Sequence, residues 1–434
     1  MRVPAPLARA VLPAPVLAVL RRLAGAGHRS FIVGGAVRDL LLRRAHDADF
    51  DVATPARPEQ VIALFRRVVP TGIAHGTVTV ISSGHPVEVT TFRGEGAYED
   101  GRRPSSVTFH DDLEADLARR DFTINAIAWD PLAPELRDPF RGRADLAARL
   151  VRAVGEPSER FGEDGLRALR AVRFAAVLDF RLDDRTRRAI PASLEVVAKV
   201  SRERVTDELV KLACAARPDR GLALLARTGL LAVLAPDLAE LPGEALAHAG
   251  RVARAAPAEP AVRLAALLHV LPADRVEPVL ASLRIARRAS DEADALVDAH
   301  ACRSRRGAAL PAGGEAVRRW LAGVGPERAA AALSLARAEA EAAPASRRPA
   351  IRREVRALGA AVDAEMRAGA PLAAKDLALD GRGVMDLLGA GPGPHVGEAL
   401  RHLLDQVLAR PGDNRAHALE AMLRRWWASR PAKL

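Results

Sequence analysis

The feature that most constrains the fold of this chain is a change of pattern near residue 145. Before it, short β-branched or alternating runs bounded by Gly, Pro or Asp are typical of strands. These runs are SFIVGG, DFDVAT, TVTVIS, VEVTTF and SVTF. After it, the pattern is helical almost to the end, with Pro and Gly clusters that mark turns between helices. The sequence therefore predicts an α+β protein with a mixed-sheet head and a long all-helical portion.

The charge of the chain favours a polyanionic partner. The 65 basic and 54 acidic residues leave a formal net charge of +11, which suits nucleic acid. A solvated basic surface on an ordinary enzyme is the alternative. A long helical portion joined to a small head suits a large substrate better than a metabolite.

Cysteine usage and hydropathy bear on the cellular compartment of the protein. Cys214 and Cys302 lie far apart and have neither a metal-ligand spacing nor a disulfide pattern, so a reducing cytoplasm is expected. No apolar stretch reaches the length of a membrane span, and we expect no membrane partner. The run AVLPAPVLAVL could be a signal peptide, but its prolines and the following Arg21 and Arg22 favour a first helix of the domain.

The segment DFDVAT places Asp49 and Asp51 two residues apart in a predicted strand. Side chains at this spacing share one face of a strand. Two carboxylates on one face can hold two Mg²⁺ ions, one near an attacking hydroxyl and one on leaving phosphates. The alternative is the polar outer face of an edge strand.

The segment FIVGGAVRD predicts a strand that ends at Gly34 and Gly35 and a helix that begins near Ala36. Glycines let backbone N–H groups approach an anion, and a helix N-terminus favours negative charge. Arg38, one turn into the helix, is able to bind phosphate bidentately. A plain strand–turn–helix is the alternative. The aspartates that follow favour a triphosphate site beside its metal ions.

Several motifs in order along the chain resemble the class II tRNA nucleotidyltransferases and bacterial poly(A) polymerases. The similarity is clear over residues 30–212 and weaker from there to the end. Besides the two motifs above, it rests on TGIAHGTVTV, VEVTTFRGEGAYEDGRRPSSVTF, DLARRDFTINAIAWDP, DPFRGRADL, RFGEDGLRALRAVRFAA, SRERVTDELVKL and DLALDGRGVMDLLGAGPGPHVGEAL.

The resemblance implies a polymerase-β-like architecture in four parts. These are a catalytic nucleotidyltransferase head at 1–145, a helical neck for base and nucleotide recognition at 146–215, a helical body at 216–340 and a helical tail at 341–434 that binds tRNA.

The resemblance also implies roles for individual residues. Asp49 and Asp51 would bind Mg²⁺ and carry catalysis, while Gly34, Gly35 and Arg38 would contact the incoming nucleotide. The remaining nucleotide-binding residues would be Arg120, Asp121, Asn125, Glu163, Asp164, Arg167, Arg170 and Arg173. Among these, Asp121 and Asn125 would brace the sugar and the loop, and Glu163 would organise the base-reading pair.

Asp164 and Arg167 together provide a chemical basis for base choice. A carboxylate accepts from the amino groups of cytosine and adenine, whereas uracil and guanine present a carbonyl at that place. The wrong bases would leave buried polar groups unpaired. Arg167, Arg170 and Arg173 recur every third residue, so successive side chains are displaced by about 60° round a helix. The alternative for this stripe is a solvated basic face with acidic partners.

The chain departs from the family pattern before the paired aspartates. Arg43 stands where the family usually has Gly, and the segment is one residue longer. Asp47 with Asp49 is thus an alternative pair, although DFDVATPARPE favours Asp49 with Asp51. The segment LAALLHVLPAD faintly resembles a metal phosphohydrolase helix, but Val270 replaces the Asp that such a site needs. We expect no second hydrolase centre.

The resemblance leads to a CCA-adding enzyme that transfers CMP and AMP from CTP and ATP to the tRNA 3′ end. Alternatives are a CC-adding or A-adding relative, a bacterial poly(A) polymerase and a non-catalytic RNA-binding protein. Members that add only CC look truncated in the loop TTFRGEGAYEDGRRPSSVTF. This chain keeps the loop, with Asp100, Arg102 and Arg103, at full length, and so both C and A addition are expected.

Overall fold

A computed structural model describes residues 3–44, 50–95, 107–300 and 310–430 of the 434. The chain divides into two compact units, Met1–Glu240 and Leu241–Leu434. In the described ranges, none of the helices combines the length and the apolar character that crossing a membrane requires.

The first unit contains the described strands and begins with the head predicted from the sequence. In chain order they are β1 (Phe31–Val33), β2 (Asp51–Thr54), β3 (Val68–Gly72), β4 (Thr77–Ser82), β5 (His85–Thr91), β6 (Arg93–Glu95), β7 (Val107–Phe109), β8 (Ala128–Asp130), β9 (Glu135–Arg137), β10 (Leu150–Val151) and β11 (Arg181–Leu182).

Seven of these strands form one mixed sheet in the order β3-β4-β5-β2-β1-β8-β9. β2 pairs with β1 antiparallel and with β5 parallel, and so it has hydrogen-bonded neighbours on both sides. β6 pairs with β7, and β10 with β11, in two smaller sheets. The α+β prediction is confirmed, and the five predicted runs overlap β1, β2, β4, β5 and β7.

The strands that the sequence pattern missed have local explanations. β8 is fully buried and three residues long, and such a segment shows no alternation. β3 contains Pro70, which lowers strand propensity and is tolerated because β3 is an edge strand of the sheet.

The helices of the first unit surround this sheet and then continue beyond it. They are α1 (Ala5–Ala8), α2 (Ala14–Gly25), α3 (Gly35–Leu41), α4 (Pro58–Leu64), α5 (Leu113–Ala118), α6 (Gly142–Ala147), α7 (Pro157–Glu163), α8 (Leu166–Leu178), α9 (Asp184–Ala189), α10 (Leu194–Ala198), α11 (Arg202–Ala213), α12 (Pro218–Arg227), α13 (Leu230–Leu234) and α14 (Pro236–Ala239).

The core of the head forms around β1. Phe31 and Val33 pack with Ala53 of β2, Phe92 and Leu117, all at most 3% exposed. Ile32, on the opposite face of β1, is also fully buried. Because both faces of β1 are covered, its C-terminal end, where the glycine turn begins, is held in a fixed position.

The second unit is helical throughout its described elements. These are α15 (Gly243–Ala255), α16 (Pro260–Leu268), α17 (Ala273–Ser282), α18 (Arg287–Ala299), α19 (Gly314–Val324), α20 (Ala329–Ala342), α21 (Arg348–Arg367), α22 (Gly381–Leu388), α23 (Pro394–Ala409) and α24 (Ala416–Ala428). Apolar clusters hold its later helices together, among them one around Leu321 and Leu358 and one around Leu403 and Leu423. The finer division into neck, body and tail stays a prediction.

Candidate active site

The glycine turn between β1 and α3 is a point of close approach. Gly34 has φ +75°, a conformation that L side chains rarely adopt. A Cβ at this position would lie 3.2 Å from Nη1 of Arg120 and 3.5 Å from Oδ2 of Asp51. The absent side chain therefore lets a guanidinium and a carboxylate of different elements meet at one backbone turn.

This turn opens into a cleft of about 940 Å³ in the first unit. Ten of the predicted site residues besides Asp51 line it: Gly34, Gly35, Arg38, Arg120, Asp121, Asn125, Asp164, Arg167, Arg170 and Arg173. Glu163 is not among the lining residues but forms an ion pair with Arg167. Asp49 and the alternative Asp47 lie outside the described residues.

Two carboxylates occupy paired positions on neighbouring strands at this cleft. Asp51 opens β2 and is directly opposite Glu88 of the parallel strand β5. Both residues line the cleft, and Glu88 is exposed. Sequence reasoning missed Glu88, because a single strand pattern does not reveal the register with its neighbour. Carboxylate oxygens presented side by side suit a hard divalent cation.

Arg38 is held in place by a set of polar contacts. Its Nε and Nη2 donate to the two carboxylate oxygens of Asp39 at 2.9 and 2.8 Å. Its Nη1 donates to Oδ1 of Asn125 at 2.7 Å, and its guanidinium lies 5.1 Å from the centre of the Phe174 ring. Asn125 in turn donates from Nδ2 to Oδ1 of Asp121 at 3.0 Å. The end of the glycine turn is thus connected to the RRDFTINA motif.

Asp121 links this network to α8. Its Oδ2 accepts from Nε and Nη2 of Arg170 at 2.8 and 2.7 Å, and its Oδ1 accepts from the backbone N–H of Phe122 at 2.8 Å. Burial alone would raise the pKa of the Asp121 carboxyl, but the charge of Arg170 and the hydrogen bonds from Asn125, Arg170 and Phe122 outweigh it and hold the pKa below its usual range. Asp121 is therefore an ionised and fully bonded bridge between two motifs.

The arginine stripe of α8 faces the cleft and is not a solvated face. The side chains of Arg167, Arg170 and Arg173 are only 10%, 33% and 11% exposed. Arg167 donates to the backbone carbonyl of Arg119 at 3.1 Å, and Arg173 forms an ion pair with Glu208 of α11. Arg170 contacts both Asp121 and, at 3.6 Å, Glu208, so that Glu208 joins Arg170 to Arg173.

Arg120 approaches the glycine turn from α5 and its C-terminus. Asp116 contacts both Arg119, at 2.9 Å, and Arg120, at 3.4 Å. Burial raises the pKa of Asp116, but the charges of Arg119 and Arg120 outweigh it, so that the pKa lies below its usual range. Because the Asp116 side chain is 1% exposed, it fixes both arginines from within the protein.

α11 contributes site residues that the sequence analysis did not name. Arg204 donates to Oδ2 of Asp164 at 2.7 Å, and Lys211 also lines the cleft. Arg204, Glu208 and Lys211 stand at positions i, i+4 and i+7, which share one face of a helix. That spacing in SRERVTDELVKL is a signal that could have identified them.

The arrangement suits a nucleoside triphosphate with divalent cations. Acidic groups line the cleft together with arginines from α3, α8, α11 and the residues that follow α5. Guanidinium groups bind phosphate in a forked geometry, and carboxylates bind hard cations. The chemistry that such a set supports is phosphoryl or nucleotidyl transfer.

Comparisons with known proteins agree with this geometry. The family described as "Poly A polymerase head domain" matches residues 30–152, and the one described as "Probable RNA and SrmB- binding site of polymerase A" matches residues 179–241. A relative from Geobacillus thermodenitrificans (strain NG80-2), the "CCA-adding enzyme", is 38% identical over 409 residues, which are 94% of this chain and 95% of that protein.

Solved structures of CCA-adding enzymes are also similar to this chain. The crystal structure of Bacillus stearothermophilus CCA-adding enzyme in complex with CTP is 35% identical, with a TM-score of 0.75 over 96% of this chain and 97% of that one. Thermotoga maritima CCA-adding enzyme complexed with tRNA_CCA, at 19% identity and a TM-score of 0.63 over 98% of this chain and 99% of that one, shares the fold. With 38% identity along nearly the whole chain and a matching head domain, this protein belongs to the CCA-adding enzyme family of nucleotidyltransferases.

Proposed function

We propose that this protein adds the CCA end to tRNA, using CTP and ATP as substrates. One observation carries the proposal: Asp51, the glycine turn and the Asp164–Arg167 pair line a single cleft. A phosphate-binding turn, a metal-binding carboxylate and a base-reading pair are the parts that a template-independent nucleotidyltransferase needs. The chain is moreover 38% identical along 94% of its length to a CCA-adding enzyme.

The proposed reaction joins the tRNA 3′-hydroxyl to the α-phosphate of the nucleotide. The 3′-oxygen forms a bond to the α-phosphorus, the bond between that phosphorus and the β-phosphate bridging oxygen breaks, and pyrophosphate leaves. In the same step the hydroxyl gives up its proton, which passes to solvent. Repetition with CTP twice and ATP once completes the end.

Dependence on a divalent metal ion is a property of this family of nucleotidyltransferases. We propose Mg²⁺ as the ion, with Asp49 and Asp51 as its ligands and Glu88 beside Asp51. Two bound ions would neutralise charge on the triphosphate and lower the pKa of the attacking hydroxyl. The side-by-side positions of Asp51 and Glu88 support this assignment, because they present oxygen ligands to one place.

Different residues of the cleft are assigned to the triphosphate and to the base of the nucleotide. Triphosphate binding is assigned to Arg120, and its position beside Gly34 and near Asp51 supports the assignment. Base reading is assigned to Asp164 and Arg167, which line the same cleft at the start of α8. Asp164 accepts from the backbone N–H of Leu166 at 3.0 Å and from Arg204, so it is held as an acceptor. An acceptor so oriented favours the amino groups of cytosine and adenine.

The four parts of the chain are assigned the functions that the family resemblance implies. The head at 1–145 would perform the chemistry, the neck at 146–215 would recognise the nucleotide, and the helical body and tail would bind tRNA in the cytoplasm. The net charge of +11 supports a polyanionic partner.

An incorporation assay with defined tRNA ends tests the proposal. Transcripts that end at the discriminator base, at the first C or at the second C are incubated with labelled CTP alone, ATP alone or both. We expect two C and then one A. One A on the CC end without any use of CTP would indicate an A-adding enzyme. Long A tracts on unrelated RNA would indicate a poly(A) polymerase, and an absence of incorporation would overturn the proposal.

A further inference from the structure

Three histidines of the second unit surround one glutamate. His248 lies in α15, His269 follows α16, His300 follows α18, and Glu339 lies in α20. Their positions are far apart in sequence, and the histidines therefore show no metal-ligand spacing when the chain is read alone. The fold brings them together, because α15 and α16 pack against α20 and α16 packs against α18.

Three of the side chains lie at distances close to those between ligands of one metal ion, and the fourth, His300, approaches Glu339. Nε2 of His248 lies 3.0 Å from both carboxylate oxygens of Glu339, Nε2 of His269 lies 3.5 Å from Oε2, and Nε2 of His300 lies 4.0 Å from Oε2. In a tetrahedral zinc site, neighbouring ligand atoms are about 3.3 Å apart, given metal–ligand bonds of about 2.0–2.1 Å. Suitable atoms of His248, His269 and Glu339 all lie within 4.8 Å of one another.

The orientation of His269 exposes a lone pair to the carboxylate. Its Nδ1 lies 2.8 Å from the carbonyl oxygen of Ala266, which only accepts hydrogen bonds, so the proton of the neutral ring is on Nδ1. Nε2 then presents a lone pair toward a carboxylate oxygen, which also carries lone pairs. A backbone carbonyl that fixes the tautomer in this way is the usual outer partner of a metal-binding histidine.

His300 supplies an independent observation. Its side chain is 5% exposed, and among the described residues no hydrogen bond reaches its Nε2, which is directed at Glu339. A buried nitrogen without such a bond is unfavourable unless something else satisfies it. A cation between the four side chains would satisfy His300 and balance the negative charge of Glu339.

A cavity gives a metal ion access to the histidine–glutamate cluster. His248 and Glu339 line a cavity of about 790 Å³ that is bounded by α15, α20 and α21. The two side chains are 19% and 15% exposed, whereas His269 is fully buried. The cluster is therefore accessible from one side and closed on the other.

We propose that His248, His269, His300 and Glu339 form a zinc-type site that joins α15, α16, α18 and α20 of the second unit. Three imidazoles and one carboxylate are a ligand set that zinc accepts in tetrahedral geometry. Four protein ligands leave no position for a substrate, so the role of the ion is to stabilise the packing of these helices. The site is separate from the carboxylates of the nucleotide cleft, which suit magnesium.

The test uses full-length protein without a histidine tag, stripped with EDTA and reloaded with Zn²⁺ or Co²⁺. To keep the nucleotide cleft from contributing, every measurement is repeated with Asp51→Asn. We expect one tightly bound Zn²⁺ per chain and, with Co²⁺, the intense visible absorption of a tetrahedral site. At free Zn²⁺ near 100 times its Kd, the unfolding midpoint of the second unit should rise by roughly 5–10 °C.

Single variants identify the ligands. His300→Asn and Glu339→Gln should each weaken Zn²⁺ binding by at least about 100-fold, whereas His417→Asn, at an exposed position of the same unit, should leave it unchanged. If Glu339→Gln fails to fold, His300→Asn decides. An Asp51→Asn protein that binds no Zn²⁺ would overturn the proposal in favour of a proton-linked histidine–glutamate cluster. Full binding by folded His300→Asn would overturn the four-ligand site, because Zn²⁺ would then be held without His300.

Discussion

Arg204 donates a hydrogen bond from Nη2 to Oδ2 of Asp164 at 2.7 Å, and so connects α11 to the residue between α7 and α8. Asp164 accepts at its other oxygen from the backbone N–H of Leu166. A carboxylate fixed at both oxygens has little freedom to turn toward a different base.

We expect Arg204→Ala to relax nucleotide choice. Without its guanidinium partner, Asp164 loses one fixed orientation, and incorporation of UMP and GMP relative to CMP and AMP should rise about tenfold. Misincorporation on tRNA lacking its CCA end measures the effect. Arg202→Ala is the matched control, since Arg202 is on the same helix and donates to the carbonyl of Leu234. Equal base preference in both variants would contradict the assignment.

Arg167→Ala should also relax nucleotide choice. Arg167 is braced by Glu163 and by the carbonyls of Arg119 and Arg160, so its removal also disturbs the start of α8. We expect misincorporation to rise by at least the same factor while the affinity for Mg²⁺ is unchanged. If the base preference does not move, Arg167 is a structural residue, and base reading depends on other groups.

Gly34→Ala tests the close approach at the glycine turn. The positive φ makes any side chain unfavourable by about 1–2 kcal/mol, and the added Cβ meets Arg120 at 3.2 Å. We expect incorporation to fall about 100-fold, because reacting groups would be displaced. Gly25→Ala, where a Cβ meets nothing within 4 Å, is the control. Normal activity of Gly34→Ala would mean that the turn does not position substrate.

Asp51→Asn should reduce incorporation by at least about 1000-fold while tRNA binding and folding persist. The loss reflects a missing metal ligand at the paired position of β2 and β5. Asp49→Asn should behave alike, and Asp47→Asn should remain active. The reverse result, an active Asp51→Asn and an inactive Asp47→Asn, would show that the metal-binding pair is shifted along the chain. Titration of Mg²⁺ in each variant separates metal binding from other effects.

Asp121→Asn should alter stability in a pH-dependent way. The folded carboxyl has a pKa below the ordinary 3.8, so its contribution is fully present above about pH 3.8 and is lost as the pH falls through the lower folded value. We expect the variant to be less stable by about 3 kcal/mol at pH 7, since Arg170 loses the nearer of its two buried acidic partners. Urea unfolding between pH 7 and pH 3 should show this difference shrinking at the acid end. A difference that is constant with pH would contradict the assignment.

Much of the head could be predicted from sequence because its signals are local. β-branched runs gave five strands, and the paired glycines gave the turn and the following helix. Glu88 and Arg204 could not be placed, because one depends on the register between two strands and the other on packing between α8 and α11. The histidines of the second unit were missed for the same reason, since four different elements supply the cluster.

Arg43 illustrates the opposite case, because the backbone conformation of this one residue explains why the family usually has Gly there. Arg43 adopts φ +53°, in the left-handed region where glycine is favoured. The position at which the family usually has Gly is therefore one that requires this conformation. The arginine is accommodated because it is exposed at the end of α3.

The order of strands in the head sheet also determines when the catalytic centre can be completed during synthesis. β1 leaves the ribosome early, but one of its two neighbours, β8, comes only with residues 128–130. Until then the fully buried strand Phe31–Val33 has one edge without its final partner, and long-range pairing of this kind is slow. The nascent glycine turn thus acquires its fixed position late, after most of the head has been translated, and this interval is when a cell would have most reason to shield the chain from aggregation.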